Sequence, residues 1–118
     1  MAVLVFLYEP DLFFSSRIES AGERFGLEVK TMLTINALEV ALKGGLPRLL
    51  LVNLDVLEGR HESLREIVSP GSCRLVGYYS HVDAKSAEEA LRAGFELVIP
   101  RRAFAVKLNE IFAEVSSG

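Results

Sequence analysis

At 118 residues the chain has the length of one domain around a single core. Half of it is hydrophobic and a quarter charged, which excludes a disordered chain, and a net charge of −3 with a pI near 5.4 argues against nucleic acid as a partner. The lone Cys73 excludes a disulfide framework and fits a reducing cytoplasm.

The chain opens on an apolar run, Val3 to Leu7, that reads as a strand. It is not a secretory leader, because no basic segment precedes it and Glu9-Pro10-Asp11 follows in place of a small-residue cleavage site. No stretch approaches about 18 consecutive apolar residues, so no membrane-spanning helix is expected. Pro10 suits the first position of a helix. Phe14, Ile18, Ala21 and Phe25 then fall on one helical face that Gly26 closes.

Leu27 to Met32 alternates as a second strand, and Thr34 caps a second helix with Ile35, Leu38 and Leu42 inward and Gly44-Gly45 as its stop. Leu49 to Asn53 is apolar until its last residue and reads as a strand buried on both faces. Leu64, Ile67 and Val68 mark a short third helix ended by Pro70-Gly71, and Arg74 to Tyr79 is a fourth strand. Asp83 caps a fourth helix with Ala87, Ala90 and Leu91 inward, stopped by Gly94. Phe95 to Ile99 is the fifth strand, and the last helix buries Phe104, Leu108, Ile111 and Val115. Strands alternating with helices predict an α/β domain over 1–118, with five parallel strands in the order 2-1-3-4-5 and helices on both faces.

Ligands of such sheets bind beyond the carboxyl ends of the strands. The loops there offer Tyr8, Glu9 and Asp11, then Asn53 and Asp55, then Ser80, His81 and Asp83, then Arg101 and Arg102. The residues Val3-Leu4-Val5-Phe6-Leu7-Tyr8-Glu9-Pro10, Pro47-Arg48-Leu49-Leu50-Leu51-Val52-Asn53-Leu54, Ser80-His81-Val82-Asp83 and Glu89-Ala90-Leu91-Arg92-Ala93-Gly94 carry a likeness. With them the whole chain resembles the receiver domain of bacterial response regulators. That resemblance implies an acidic pair for Mg²⁺ after the first strand and a phosphoacceptor aspartate after the third. It also implies a Thr or Ser after the fourth strand and a Lys after the fifth.

These positions fall on Leu7 and Tyr8, with Glu9 just beyond; on Asn53; on Tyr79, with Ser80 beside it; and on Arg101. Mg²⁺ wants hard oxygen ligands, and a neutral amide is a poor nucleophile. The chain therefore reads as a pseudo-receiver with no metal or other cofactor and no enzymatic activity. The competing reading shifts the site by two residues, so that Asp55 accepts phosphate beside Glu9 and Asp11. It would leave polar Asn53 inside a buried strand, at about 1–3 kcal/mol if unpaired. A third reading is a small-ligand sensor in the same crevice.

Three further expectations concern the site. Arg101 is expected to reach Asp55 or Glu9, Tyr8 and Tyr79 to fill the emptied pocket, and Tyr78 to be a ring that swings between two states. Asp55 otherwise reads as a solvated loop acid. His61 and His81 are too far apart in sequence for a paired metal motif, and Cys73 lacks a cationic setting that would activate it.

A domain without a reaction functions by recognition. Receivers typically signal through the fourth helix, fifth strand and fifth helix, which here carry Lys85, Glu88, Glu89, Arg92, Glu96, Lys107, Glu110 and Glu114. Mixed signs suit a protein partner in trans or a two-fold homodimer. Leu12, Phe13 and Val106 lie off the buried stripes and are expected to be exposed.

Overall fold

Leu49–Asn53 (β3) lies at the centre of the sheet, and all five of its residues are buried. Strands covered by helices on both faces require such unbroken apolar runs. The computed structural model describes residues 2–68, 71–81 and 84–117. Val3–Tyr8 (β1), Leu27–Met32 (β2), Arg74–Tyr79 (β4) and Leu97–Pro100 (β5) complete a parallel sheet in the order 2-1-3-4-5, as the sequence predicted.

The crossover helices are Leu12–Arg24 (α1), Ile35–Gly44 (α2), His61–Ile67 (α3), Ala84–Arg92 (α4) and Arg101–Ser117 (α5). A 3₁₀ turn over Leu54–Val56, which the sequence pattern did not signal, follows β3. Strand alternation divides the core in two. Val5, Leu7, Leu49, Leu51, Val76 and Tyr78 pack with Phe14, Ile18, Phe104, Leu108 and Phe112 on the α1–α5 side. Phe6, Tyr8, Leu50, Val52 and Leu75 pack with Leu38, Leu42, Leu64 and Ala90 on the other.

Several boundaries differ from the sequence pattern, each for a local reason. Pro10 is not the first residue of α1. Asp11 caps that helix, its Oδ1 accepting from the amides of Phe13 and Phe14 at 2.9 and 3.2 Å, and Pro10 stands outside. Phe25 is the residue that ends α1, only partly buried, with Gly26 after it at φ +71°. Val68 ends α3 instead of lying within it. β5 starts two residues later than expected, because the Phe95 amide still bonds to Ala90 O and its ring fills the core before pairing begins.

Leu91 is exposed, and Ala90 and Ala93 are the buried residues at that end of α4. The expected stop at Pro70 and cap at Asp83 lie outside the described residues. Leu12, Phe13 and Val106 are exposed as expected. Among the described residues no helix is long and apolar enough to cross a membrane.

Gly77 in β4 has a packing reason. A Cβ there would come within 2.9 to 3.1 Å of three Leu54 side-chain carbons, so the missing side chain lets the 3₁₀ turn seat on the sheet. That seat sets the position of Asn53 and Asp55.

Candidate functional site

Register builds the site. Leu7 pairs with Leu51 on neighbouring strands, and Asn53 pairs with Tyr78. Side chains two residues apart share a face of a sheet. Glu9, Asn53 and Tyr78 therefore form the next row on the α1–α5 side, immediately above Leu7 and Leu51. Glu9 remains tied to the sheet through its amide, which donates to Met32 O at 3.3 Å.

This row is buried. Glu9 is fully buried and Asn53 is 6% exposed. Asn53 Nδ2 donates to Glu9 Oε1 and Oε2 at 3.0 and 3.1 Å. Tyr78 Oη donates to Glu9 Oε1 at 2.6 Å, and the Asp11 amide donates to Glu9 Oε2 at 3.0 Å. Every partner is a donor, as an acceptor-only carboxylate requires. A buried carboxylate is strongly unfavourable without such partners and acceptable with them. Among the described residues no buried side-chain polar atom lacks a partner.

Asn53 has a second duty, since its Oδ1 accepts from the Asp55 amide at 2.9 Å and so caps the 3₁₀ turn. The amide is thus suited to this position on both sides, accepting from one neighbour and donating to the other. A carboxylate could do only the first.

Tyr78 points inward. It is fully buried, its ring stacks on Phe104 at 4.3 Å, and Phe14 meets it edge-on at 5.5 Å. Burial, followed by the bond to Glu9, pushes its phenol well above the ordinary value. The Arg101 guanidinium covers Phe14 from outside, 3.9 Å from the ring centroid.

Arg101 meets neither Asp55 nor Glu9. Its Nη2 donates to Asp11 Oδ2 at 3.3 Å, so the lock expected across the loops joins α5 to the cap of α1. The Phe14 amide first, with Arg101 adding to it, holds the Asp11 carboxyl below its usual range. Asp55 is not a solvated loop acid. Its carboxylate accepts from the Ser80 amide at 2.9 Å and the His81 amide at 2.9 Å, fastening the loop after β4 to the 3₁₀ turn. Asp55 thus holds the loop from outside the buried row.

Tyr8 and Tyr79 do not fill the emptied pocket. Both pack on the opposite side of the sheet, and Tyr8 Oη donates to Val56 O at 3.0 Å. Glu9 itself fills the place. The sequence signal for it was the pleat: two residues past Leu7 puts Glu9, not Tyr8, beside Asn53.

These residues do not fit Mg²⁺. Leu7 is apolar and buried, Asn53 points N–H donors into the site, and both Glu9 oxygens are taken by donors. Among the described residues no group of three His, Cys, Asp or Glu converges on a common point that would suit a metal. Burial pushes the Cys73 thiol up to about 12, the opposite of activation. His81 is exposed, and its amide is what contributes, through Asp55.

On the proposed signalling face, Lys85, Glu88, Glu89, Arg92, Glu96, Lys107, Glu110 and Glu114 are all exposed. Two of the acids are already engaged within the chain. Arg74 bridges Glu96 at 2.8 Å and Glu114 at 2.9 Å, joining β4 to the residue just before β5 and to α5.

Comparison with known proteins bears on the fold. No protein-family description matches the sequence, and no curated protein resembles it significantly. Solved structures do match. A response regulator from Thermotoga maritima superposes with a TM-score of 0.78 at 17% identity, covering 100% of both chains. An orphan response regulator of H. pylori gives 0.78 at 13% identity, covering 98% of this chain and 94% of its own. The beryllofluoride-activated NtrC4 receiver domain, solved as a dimer, gives 0.74 at 14%, covering 95% and 98%. The chain has the receiver-domain fold.

Proposed function

We propose that this receiver-like chain is a phosphorylation-independent signalling module that functions by binding another protein. The observation that carries the reading is the row Glu9–Asn53–Tyr78. Phosphoryl transfer of the receiver type rests on a carboxylate nucleophile and on a metal that neutralises developing charge. Here an amide stands at the nucleophile's place, and a buried carboxylate accepts its N–H groups where a metal's ligands would be. The row is already satisfied by internal hydrogen bonds, so it supports a fixed conformation better than a switch between two.

The alternative acceptor, Asp55, is spent on the Ser80 and His81 amides. A module of this kind is proposed as a binder and not an enzyme, in the cytoplasm, where the unpaired Cys73 would stay reduced. A second copy, docking through α4, β5 and α5, belongs to the same proposal, supported by the mixed charges that stay exposed there.

The test is an amide NMR titration with Mg²⁺ and then with Mg²⁺ plus beryllofluoride. The expected spectra show no site-specific shifts. Saturable shifts centred on Asn53, Asp55, Ser80 and Arg101 would overturn the proposal.

A further inference from the structure

Two open clefts of about 410 and 500 Å³ run along the junction of α1 and α5. They share Phe14, Arg17 and Ala105 and so form one groove. Its walls carry Arg17, Arg24, Arg101 and Arg102, and no Asp or Glu. This is a concentration of positive charge in a chain whose net charge is −3.

The nearby acids do not line it. Glu19 accepts from Thr31 on the β2 side, Asp11 is paired with Arg101 at one end, and Glu23, though on α1, is not part of the groove's walls. Arg17, Arg24 and Arg102 are exposed and take part in no ion pair among the described residues. Arg102 also stands in the first turn of α5, where a cation opposes the helix dipole and no acidic residue offsets it. Gathering like charges in this way works against the folded state, and an external anion would reverse the sign of each of these terms.

From this arrangement we infer that the α1–α5 groove binds an acidic peptide segment of a partner protein. The inference rests on the reading of the chain as a protein-binding module and names the chemistry of what is bound. Spacing sets the kind of anion. Arg17 and Arg24 are seven positions apart on α1, about 10 Å along the axis, with the α5 arginines farther on. A single phosphate cannot meet both ends, whereas an extended peptide, at about 3.3 Å per residue, brings successive carboxylates to them.

Arg101 is held ready by Asp11 and the Phe14 ring, which lowers the entropy lost on binding. Ser16, Ser20 and Asn109 in the walls offer neutral partners to a peptide backbone. A polynucleotide fits less well, since the Phe14 ring is buried under Arg101 and the rest of the chain is net negative.

The experiment is fluorescence polarisation of a labelled polyglutamate peptide of about ten residues against the intact chain at low and high salt. Binding that weakens with salt is expected, as is at least about a tenfold loss in Arg17→Glu/Arg24→Glu. Arg102→Glu should lose affinity without losing stability, because its new charge favours the helix start. Lys43→Glu, on α2 and outside the groove, should bind as the unmodified chain does.

No peptide binding by the unmodified chain either with or without beryllofluoride would overturn the inference, as would an equal loss in Lys43→Glu. Tighter binding of an oligothymidylate of similar length would overturn the peptide assignment in favour of nucleic acid. Repeating the titration with Mg²⁺ and beryllofluoride separates the two proposals. Affinity that appears only with beryllofluoride overturns phosphorylation independence and supports the groove, while absence under both conditions overturns the groove alone.

Discussion

Restoring an aspartate where receivers carry their phosphoacceptor should damage this protein. Asn53→Asp replaces the Nδ2 that donates to Glu9 at 3.0 and 3.1 Å with a second carboxylate oxygen, inside a buried site. A hydrogen bond to a charged acceptor is worth about 1.5–3 kcal/mol. Two like charges about 4 Å apart add roughly 4 kcal/mol at an effective dielectric of about 20. Relaxation of the loop absorbs part of this, so the expected loss is about 3–6 kcal/mol. That is a large share of the roughly 5–15 kcal/mol that stabilises a domain.

Urea denaturation at neutral pH measures the loss directly, provided the slope is unchanged. Acidification should shrink it, because a proton on the introduced carboxyl removes the repulsion and restores a donor. The reciprocal exchange Glu9→Gln/Asn53→Asp returns one amide and one carboxylate to the pair and should recover about half of the loss. If Asn53→Asp were within about 1 kcal/mol of the unmodified protein, the row would not be the constraint described above. The same conclusion would follow if the double variant were no better than the single one.

Other consequences can be measured on the same footing. Tyr78→Phe keeps the stack on Phe104 and deletes only the donor 2.6 Å from Glu9, so denaturation should show a loss of about 1.5–3 kcal/mol; a near-neutral result would mean that Glu9 has another partner. The Asp11 carboxyl is lowered in the folded state, so its contribution to stability is present above the unfolded value and is lost as pH falls through the folded one. Denaturation midpoints taken from about pH 5 down to about pH 3 should fall less steeply in Arg101→Ala, which removes one of the groups holding that carboxyl down. Gly77→Ala places a methyl group within 2.9 Å of Leu54 and should cost about 1–3 kcal/mol. It should also shift the amide resonances of Asp55, Ser80 and His81, and unmoved resonances would disconnect the 3₁₀ turn from that loop.

How much of this was legible beforehand follows the range of the interactions. The order of elements, the strand sequence 2-1-3-4-5 and the buried central strand were readable, because burial imprints itself on apolar periodicity. The ends were less so. Pro10 suits a helix start by pattern, yet the Asp11 side chain takes the Phe13 and Phe14 amides and begins the helix after it; the pattern likewise points Leu91 inward on a helix whose burial runs through Ala90 and Ala93. Such choices turn on a single hydrogen bond or on about a third of a helical turn.

The sequence alone determined that an amide, and not a carboxylate, ends the third strand, and that apolar Leu7 precedes it on the first. That is covalent fact and needs no fold. Only the tertiary structure decided what the amide does. Parallel register brought Asn53 and Tyr78 from two strands, and Glu9 from just past the end of a third, into one row, with 44 and 69 positions of chain separating Glu9 from its two partners. It also gave Arg101 to Asp11, 90 positions away, and Asp55 to the amides of Ser80 and His81. Local pattern says which residues must be buried. It does not say which polar groups will meet there, because that depends on the alignment of strands that only the packed sheet enforces.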